Sequence, residues 1–161
     1  MTKEEFKILF ELYFEDIRRY LYYRCGDTSV STDLAQDTFM RIWEKQMDLQ
    51  AEKDVGLLYK IASDLFVSHL RREKLRRESP ELIRFEQRDS TPEDELEYRE
   101  LEEKYEKALM KLSEAQRIAF LMSRTEELSY KEIATRLSLS VKAVEKRVSG
   151  ALILLRKELK T

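Results

Sequence analysis

"SYKEIATRLSLSVKAVEKRV", residues 129–148, decides the fold. Ser129 followed by Glu132 has capping-box spacing, in which a hydroxyl and a carboxylate each satisfy a free backbone amide at a helix start. The helix that follows is short, the connector Ser138-Leu139-Ser140 is tight, and Ser140 can cap a second helix. Ile133, Ala134 and Leu137 of the first helix face Val144 and Val148 of the second. Small Ala134 lets the two cross closely, as a helix–turn–helix requires. The outward positions of the second helix are Lys142, Glu145, Lys146, Arg147 and Ser149. Basic groups there can pair with phosphates, Lys146 or Arg147 can donate to guanine, and Glu145 can accept from cytosine in a major groove. A helical hairpin with a solvated charged face has the same spacing.

The rest of the chain fits helices throughout. Of 161 residues 42% are hydrophobic and 39% charged, with three Gly and two Pro, a mixture that favours helices with polar outer faces and predicts an all-α protein. The net charge is only −2, which is unexpected for a binder of DNA until it is divided along the sequence. Residues 81–106 hold 4 basic and 11 acidic side chains, a net of −7, whereas residues 107–161 hold 12 and 6, a net of +6. The C-terminal third is therefore basic enough to meet phosphates.

Composition also excludes whole classes of chemistry. Cys25 and His69 are each alone, so no intramolecular disulfide, Cys- or His-based metal site or His-dependent triad can be assembled. The many carboxylates lie on helical faces rather than in recognisable pairs, so no enzyme, metal, cofactor or small-molecule substrate is expected. Residues 1–10 lack a signal-peptide core, and the apolar run "ALILL" at 151–155 is far too short to insert into a membrane, which predicts a cytoplasmic protein.

Periodicity divides the chain into two small helical domains joined by a linker. Phe6, Leu9, Phe10, Tyr13, Ile17, Tyr20 and Leu21 recur at steps of three and four, giving a helix over about 4–25 that Gly26 stops. Ser31, Thr32 or Asp33 is the expected cap of a second helix. Leu58, Ile61, Ala62, Leu65 and Phe66 line a third that runs to about Arg77. Residues 79–92 contain both prolines and no convincing apolar face, and so separate a domain at 1–78 from one at 93–161. Thr91, Pro92 and Asp94 are a start signal for the stripe Leu101, Tyr105, Leu109 and Leu112; Ser113 with Gln116 starts the next helix. The last helix has Val141, Val144, Val148, Ala151 or Leu152, Leu155 and Leu159 on its apolar side.

Two further faces of the first domain invite a ligand. In "DLAQDTFMRIWEK", residues 33–45, Asp33, Gln36, Asp37 and Met40 fall at i, i+3, i+4 and i+7, so two acids, an amide and a thioether share one face. It suits a basic protein partner, with Met40, Phe39 or Trp43 giving apolar contact; a solvated face above a core Trp has the same pattern. The third helix ends on Arg71, Arg72, Lys74, Arg76 and Arg77, more positive charge than a helix dipole requires. Lys60, Ser68, Arg71 and Arg72 can follow one nucleic-acid strand while Tyr59 or the 47–56 loop holds an unpaired base, although Tyr59 fits a core position equally.

In this order, these segments resemble the small, two-domain bacterial RNA polymerase sigma factors of the extracytoplasmic function type. "DLAQDTFMRIWEK" looks like the family's core-polymerase-binding helix, and "LLYKIASDLFVSHLRR" like its helix for the minus-ten promoter element. Residues 108–148 look like its domain for the minus-thirty-five element. The resemblance implies an alternative sigma factor whose partners are core RNA polymerase, promoter DNA and an anti-sigma factor. Core binding then falls to Asp33, Gln36, Asp37, Phe39, Met40 and Trp43. Minus-ten contacts fall to Tyr59, Lys60, Ser68, Arg71 and Arg72, and minus-thirty-five contacts to Lys142, Glu145, Lys146, Arg147 and Ser149. Ser138 stands where the family commonly has a turn Gly. The rival reading is a stand-alone helix–turn–helix regulator whose residues 1–78 dimerise or sense.

Overall fold

The computed structural model describes residues 1–76 and 96–160, and among them it contains seven helices and no strand. The first three are α1 (Lys3–Cys25), α2 (Thr28–Glu44) and α3 (Val55–Arg76). Thr2 and Glu5 form a capping box at the start of α1, with Thr2 Oγ1 accepting from the Glu5 amide at 3.1 Å. At its end Gly26 takes a left-handed φ of 70°, which a side chain would disfavour, and its N–H donates to the Tyr22 carbonyl. That turn is so tight that Asp27 already caps α2, accepting from the Val30 amide at 3.1 Å. The expected caps Ser31, Thr32 and Asp33 therefore lie inside the helix, and the buried Ser31 hydroxyl donates to the Thr28 carbonyl. Ile17, Leu21, Leu34, Phe39, Ile42, Leu58 and Phe66 fill the space between the three helices.

The second group comprises α4 (Leu96–Lys111), α5 (Glu114–Arg124), α6 (Tyr130–Leu137) and α7 (Val141–Leu159). Both expected capping boxes form, Ser113 with Gln116 and Ser129 with Glu132, and Ser140 accepts from the Ala143 amide at the start of α7. Ser138 holds the left-handed conformation at φ 57° in the turn, the conformation that glycine adopts most easily. The proposed start at Thr91, Pro92 and Asp94 and the linker at 79–92 lie outside the described residues. Leu109 and Leu112 are buried as expected, but Leu101 is 62% exposed. It lines a groove of about 840 Å³ between α4, α7 and the end of α1. Val141 is likewise exposed at the first turn of α7.

The two groups do not stand apart. The buried apolar side chains form one continuous cluster, in which α1 packs on α5 and α3 on α6. The approach of α3 to the helix–turn–helix is close at Gly56, where a Cβ would lie 3.1 Å from the Thr135 carbonyl oxygen and 3.2 Å from Ser138 Oγ.

Candidate nucleic-acid and partner interfaces

The helical register of α2 sorts its residues into two sets. Leu34, Ala35, Thr38, Phe39 and Ile42 turn inward, which leaves Asp33, Gln36, Asp37 and Met40 exposed together on one face. Met40 is 55% exposed. Phe39 is only 1% exposed and lies among aromatic rings, 5.2 Å from Phe10 and 5.9 Å from Phe14 between centroids. Its expected contact with a partner is therefore corrected: position 39 is next to Met40 in sequence but about 100° away around the helix, on the buried side. Trp43 is half-buried, with its ring 5.1 Å from that of Phe6, and contributes only an edge to the surface.

Along α3, Lys60, Ser68, Arg71 and Arg72 are all exposed at spacings that keep them on one side. Tyr59 is not with them. It is 2% exposed, its ring meets Tyr20 edge-on at 5.0 Å, and its hydroxyl accepts from Arg136 Nη1 at 3.0 Å. Burial drives its pKa up. In this arrangement Tyr59 cannot stack on a base, so the core alternative holds for it here.

The α6–α7 pair has the crossing that the sequence predicts: Ile133, Ala134, Val144 and Val148 are buried. Lys142, Glu145, Lys146 and Ser149 are exposed along α7. Arg147 is half-buried, because it lies beside the buried row of Val144, Val148 and Ala151 rather than opposite to it. The outward face thus carries lysines and one acid, with Arg147 at its edge.

A set of polar residues that the sequence patterns did not single out holds the two groups together. Arg136 of α6 donates to Asp16 of α1 at 2.9 Å as well as to Tyr59 of α3, and its guanidinium lies 5.7 Å from the Tyr13 ring centroid. Arg24, 9% exposed, pairs with Glu114, donates to Ser63 Oγ at 2.7 Å and stacks over Phe66 at 4.4 Å. Buried Arg117 donates to the Tyr23 carbonyl at 2.8 Å, and desolvation lowers its pKa while Glu114 opposes the shift. Glu126, in the α5–α6 loop, has its carboxyl pushed up to about 7 by burial, with Asp16 adding and Arg136, Tyr23 and Arg19 opposing. Glu126 Oε2 and the Tyr23 hydroxyl are both buried without a well-formed hydrogen bond, although they lie close enough to affect each other's titration. The available signal was register: Arg24 follows Ile17, Tyr20 and Leu21 on the buried side of α1, where a solvated arginine would not be placed.

Comparison with known proteins places the chain in a family. The model of sigma-70 region 2 matches residues 9–76, and that of sigma-70 region 4 matches residues 102–155. The chain is 26% identical to RNA polymerase sigma factor YlaC of Bacillus subtilis over 162 residues, covering 98% of this chain and 93% of the relative. It is 31% identical to the ferric citrate uptake sigma factor FecI of Escherichia coli over 121 residues, 74% of this chain and 70% of the relative. The sigma factor RpoE in a co-crystal structure with the anti-sigma factor NepR from Bartonella quintana shares the fold, with a TM-score of 0.69 at 22% identity over 98% of both chains. The chain thus belongs to the sigma-70 family, in its extracytoplasmic function branch, as an alternative sigma factor that directs transcription initiation.

Proposed function

We propose that the chain binds core RNA polymerase through the exposed face Asp33, Gln36, Asp37 and Met40, aided by the edge of Trp43. The observation that carries this assignment is the exposure of all four at i, i+3, i+4 and i+7 on a helix whose other side is core. Two carboxylates beside an exposed thioether favour a basic protein surface over DNA, because like charge repels phosphate. Lys60, Ser68, Arg71 and Arg72 then follow the minus-ten strand, and Lys142, Glu145, Lys146 and Ser149 dock on the minus-thirty-five element with Arg147 at the margin. The exposed positive charge of both faces supports this division.

In this reading residues 1–78 and 93–161 are the two functional domains, and the protein is a non-enzymatic cytoplasmic subunit restrained by an anti-sigma partner. Among the described residues no helix is long and apolar enough to cross a membrane. Weak free affinity for DNA fits an overall charge of −2, since the polymerase supplies much of the remaining grip. Transcription in vitro with purified core polymerase and start-site mapping tests the proposal. Initiation at defined promoters only when both proteins are present supports it; promoter protection by the chain alone, without core, supports the stand-alone regulator.

A further inference from the structure

One carboxylate stands in the middle of the basic side of α3. Lys60, Asp64, Ser68 and Arg71 follow one another at helical steps of four, four and three, and all of them are exposed. The stripe is about 16 Å long at ~1.5 Å per residue, and it lies opposite the buried Leu58, Ala62 and Phe66. Asp64 is the acid on that stripe. Among the described residues it makes no ion pair or side-chain hydrogen bond, although Lys60 stands one turn before it and Ser68 one turn after. A carboxylate in that place repels phosphate. A face that only gripped the backbone would hold a strand better with a neutral or basic residue at position 64.

We propose that Asp64 reads an unpaired guanine in the minus-ten strand. This rests on the assignment of the exposed side of α3 to that strand. A carboxylate only accepts hydrogen bonds, so the base it reads must present N–H groups. On its Watson–Crick edge guanine places N1–H and an N2 amino hydrogen side by side, and the two carboxylate oxygens can accept from both in one plane. Adenine and cytosine put an acceptor nitrogen beside their amino group, and thymine flanks its single N–H with carbonyl oxygens. Each of these sets a lone pair against the carboxylate. Guanine offers its edge only when its pairing with cytosine is broken. Asp64 thus couples base choice to strand opening: it repels the phosphates of a closed duplex and gains a charge-assisted pair when the base is released. Lys60 and Arg71, on either side along the helix, hold the flanking phosphates and keep the strand against the acid. This grip needs no aromatic ring, which accords with the burial of Tyr59.

Holoenzymes assembled with the wild-type chain, Asp64→Asn or Asp64→Ala test this on promoters that carry each base at every non-template position of the minus-ten element, both as duplexes and pre-melted. Wild type should favour guanine at one position by at least about five-fold. Inosine there, which lacks only the 2-amino group, should lose most of that preference on the pre-melted template. Asp64→Asn should move the preference to adenine or cytosine, where an amide matches the amino group and ring nitrogen as acceptor and donor together. Asp64→Ala should level that position alone while holding duplex DNA of any sequence no less tightly than wild type. Unchanged base preference in both variants overturns the proposal and leaves Asp64 a solvated, repulsive carboxylate. A cytosine preference that is present on duplexes and lost on pre-melted templates also overturns it, since that is reading in a major groove. If Arg71→Ala with Arg72→Ala reduces promoter opening while the Asp64 variants change no preference, the guanine contact falls and the minus-ten assignment stands. If none of these variants has an effect at the minus-ten element, the assignment of this side of α3 falls as well.

Discussion

Replacing Phe39 and Met40 separately distinguishes core from contact at two adjacent positions of α2. Phe39 is 1% exposed, with the rings of Phe6, Phe10 and Phe14 at centroid distances of 6.4, 5.2 and 5.9 Å. Truncation to Ala loses the transfer free energy of the ring, its aromatic contacts and the packing around the cavity, together about 3–5 kcal/mol. Against a typical domain stability of ~5–15 kcal/mol this is a large fraction. At about 2–4 °C per kcal/mol for a single packed unit of this length, the melting temperature should fall by at least about 6 °C. Met40, at 55% exposure, should change stability by less than about 0.5 kcal/mol when truncated. The assay is thermal unfolding by circular dichroism, paired with core-polymerase binding at a temperature where both variants remain folded. Phe39→Ala should then bind core nearly normally while Met40→Ala binds several-fold more weakly. Weaker core binding by Phe39→Ala with a melting temperature within about 2 °C of wild type would refute the assignment of Phe39 to the core.

Asp37→Lys should weaken core binding by several-fold or more with little effect on stability, because it places like charges across the docking surface; equilibrium binding to purified core checks this. Lys146→Ala should cost about 1–3 kcal/mol and relax preference at one minus-thirty-five base if the side chain reads a base edge, or weaken all sequences alike if it holds a phosphate, which a panel of single-base promoter variants separates. Arg71→Ala with Arg72→Ala should leave core binding intact yet reduce promoter opening, read as lost permanganate reactivity of thymines near the start site and rescued by a pre-melted template. Glu126 has a pKa raised from 4.5 to about 7 by burial, so the packed state binds its proton more tightly than the solvated chain does. Its stabilising effect is full below about 4.5, declines as pH rises toward about 7 and is flat above that. Glu126→Gln, which cannot ionise among Asp16, Arg19, Tyr23, Tyr59 and Arg136, should match wild type in urea unfolding near pH 4.5 and exceed it near pH 8.

Local pattern alone determined the helices and their ends wherever a capping residue and an apolar stripe coincided. Ser113 with Gln116, Ser129 with Glu132 and Ser140 act through residues three positions away, so the sequence carries all the information needed. The same holds for the α2 face, since Asp33, Gln36, Asp37 and Met40 share a side by the period of the helix itself. Phe39 and Asp27 show the limit of that reading. An apolar residue beside a polar face can belong to either side until the neighbouring rings of α1 are in place, and a tight left-handed turn at Gly26 moved the cap upstream of the expected hydroxyls.

Only the tertiary structure decided what the two halves do to each other. Arg136 and Asp16 are 120 positions apart, and Arg24 and Glu114 are 90 apart. No periodicity links such residues, because their pairing depends on how α6 lies on α3 and α5 on α1. The burial of Tyr59 follows from the same docking: its sequence position fits an exposed base-stacking ring and a core ring equally well. The fold places Arg136 against its hydroxyl, which gives the buried ring the polar partner that a core tyrosine needs.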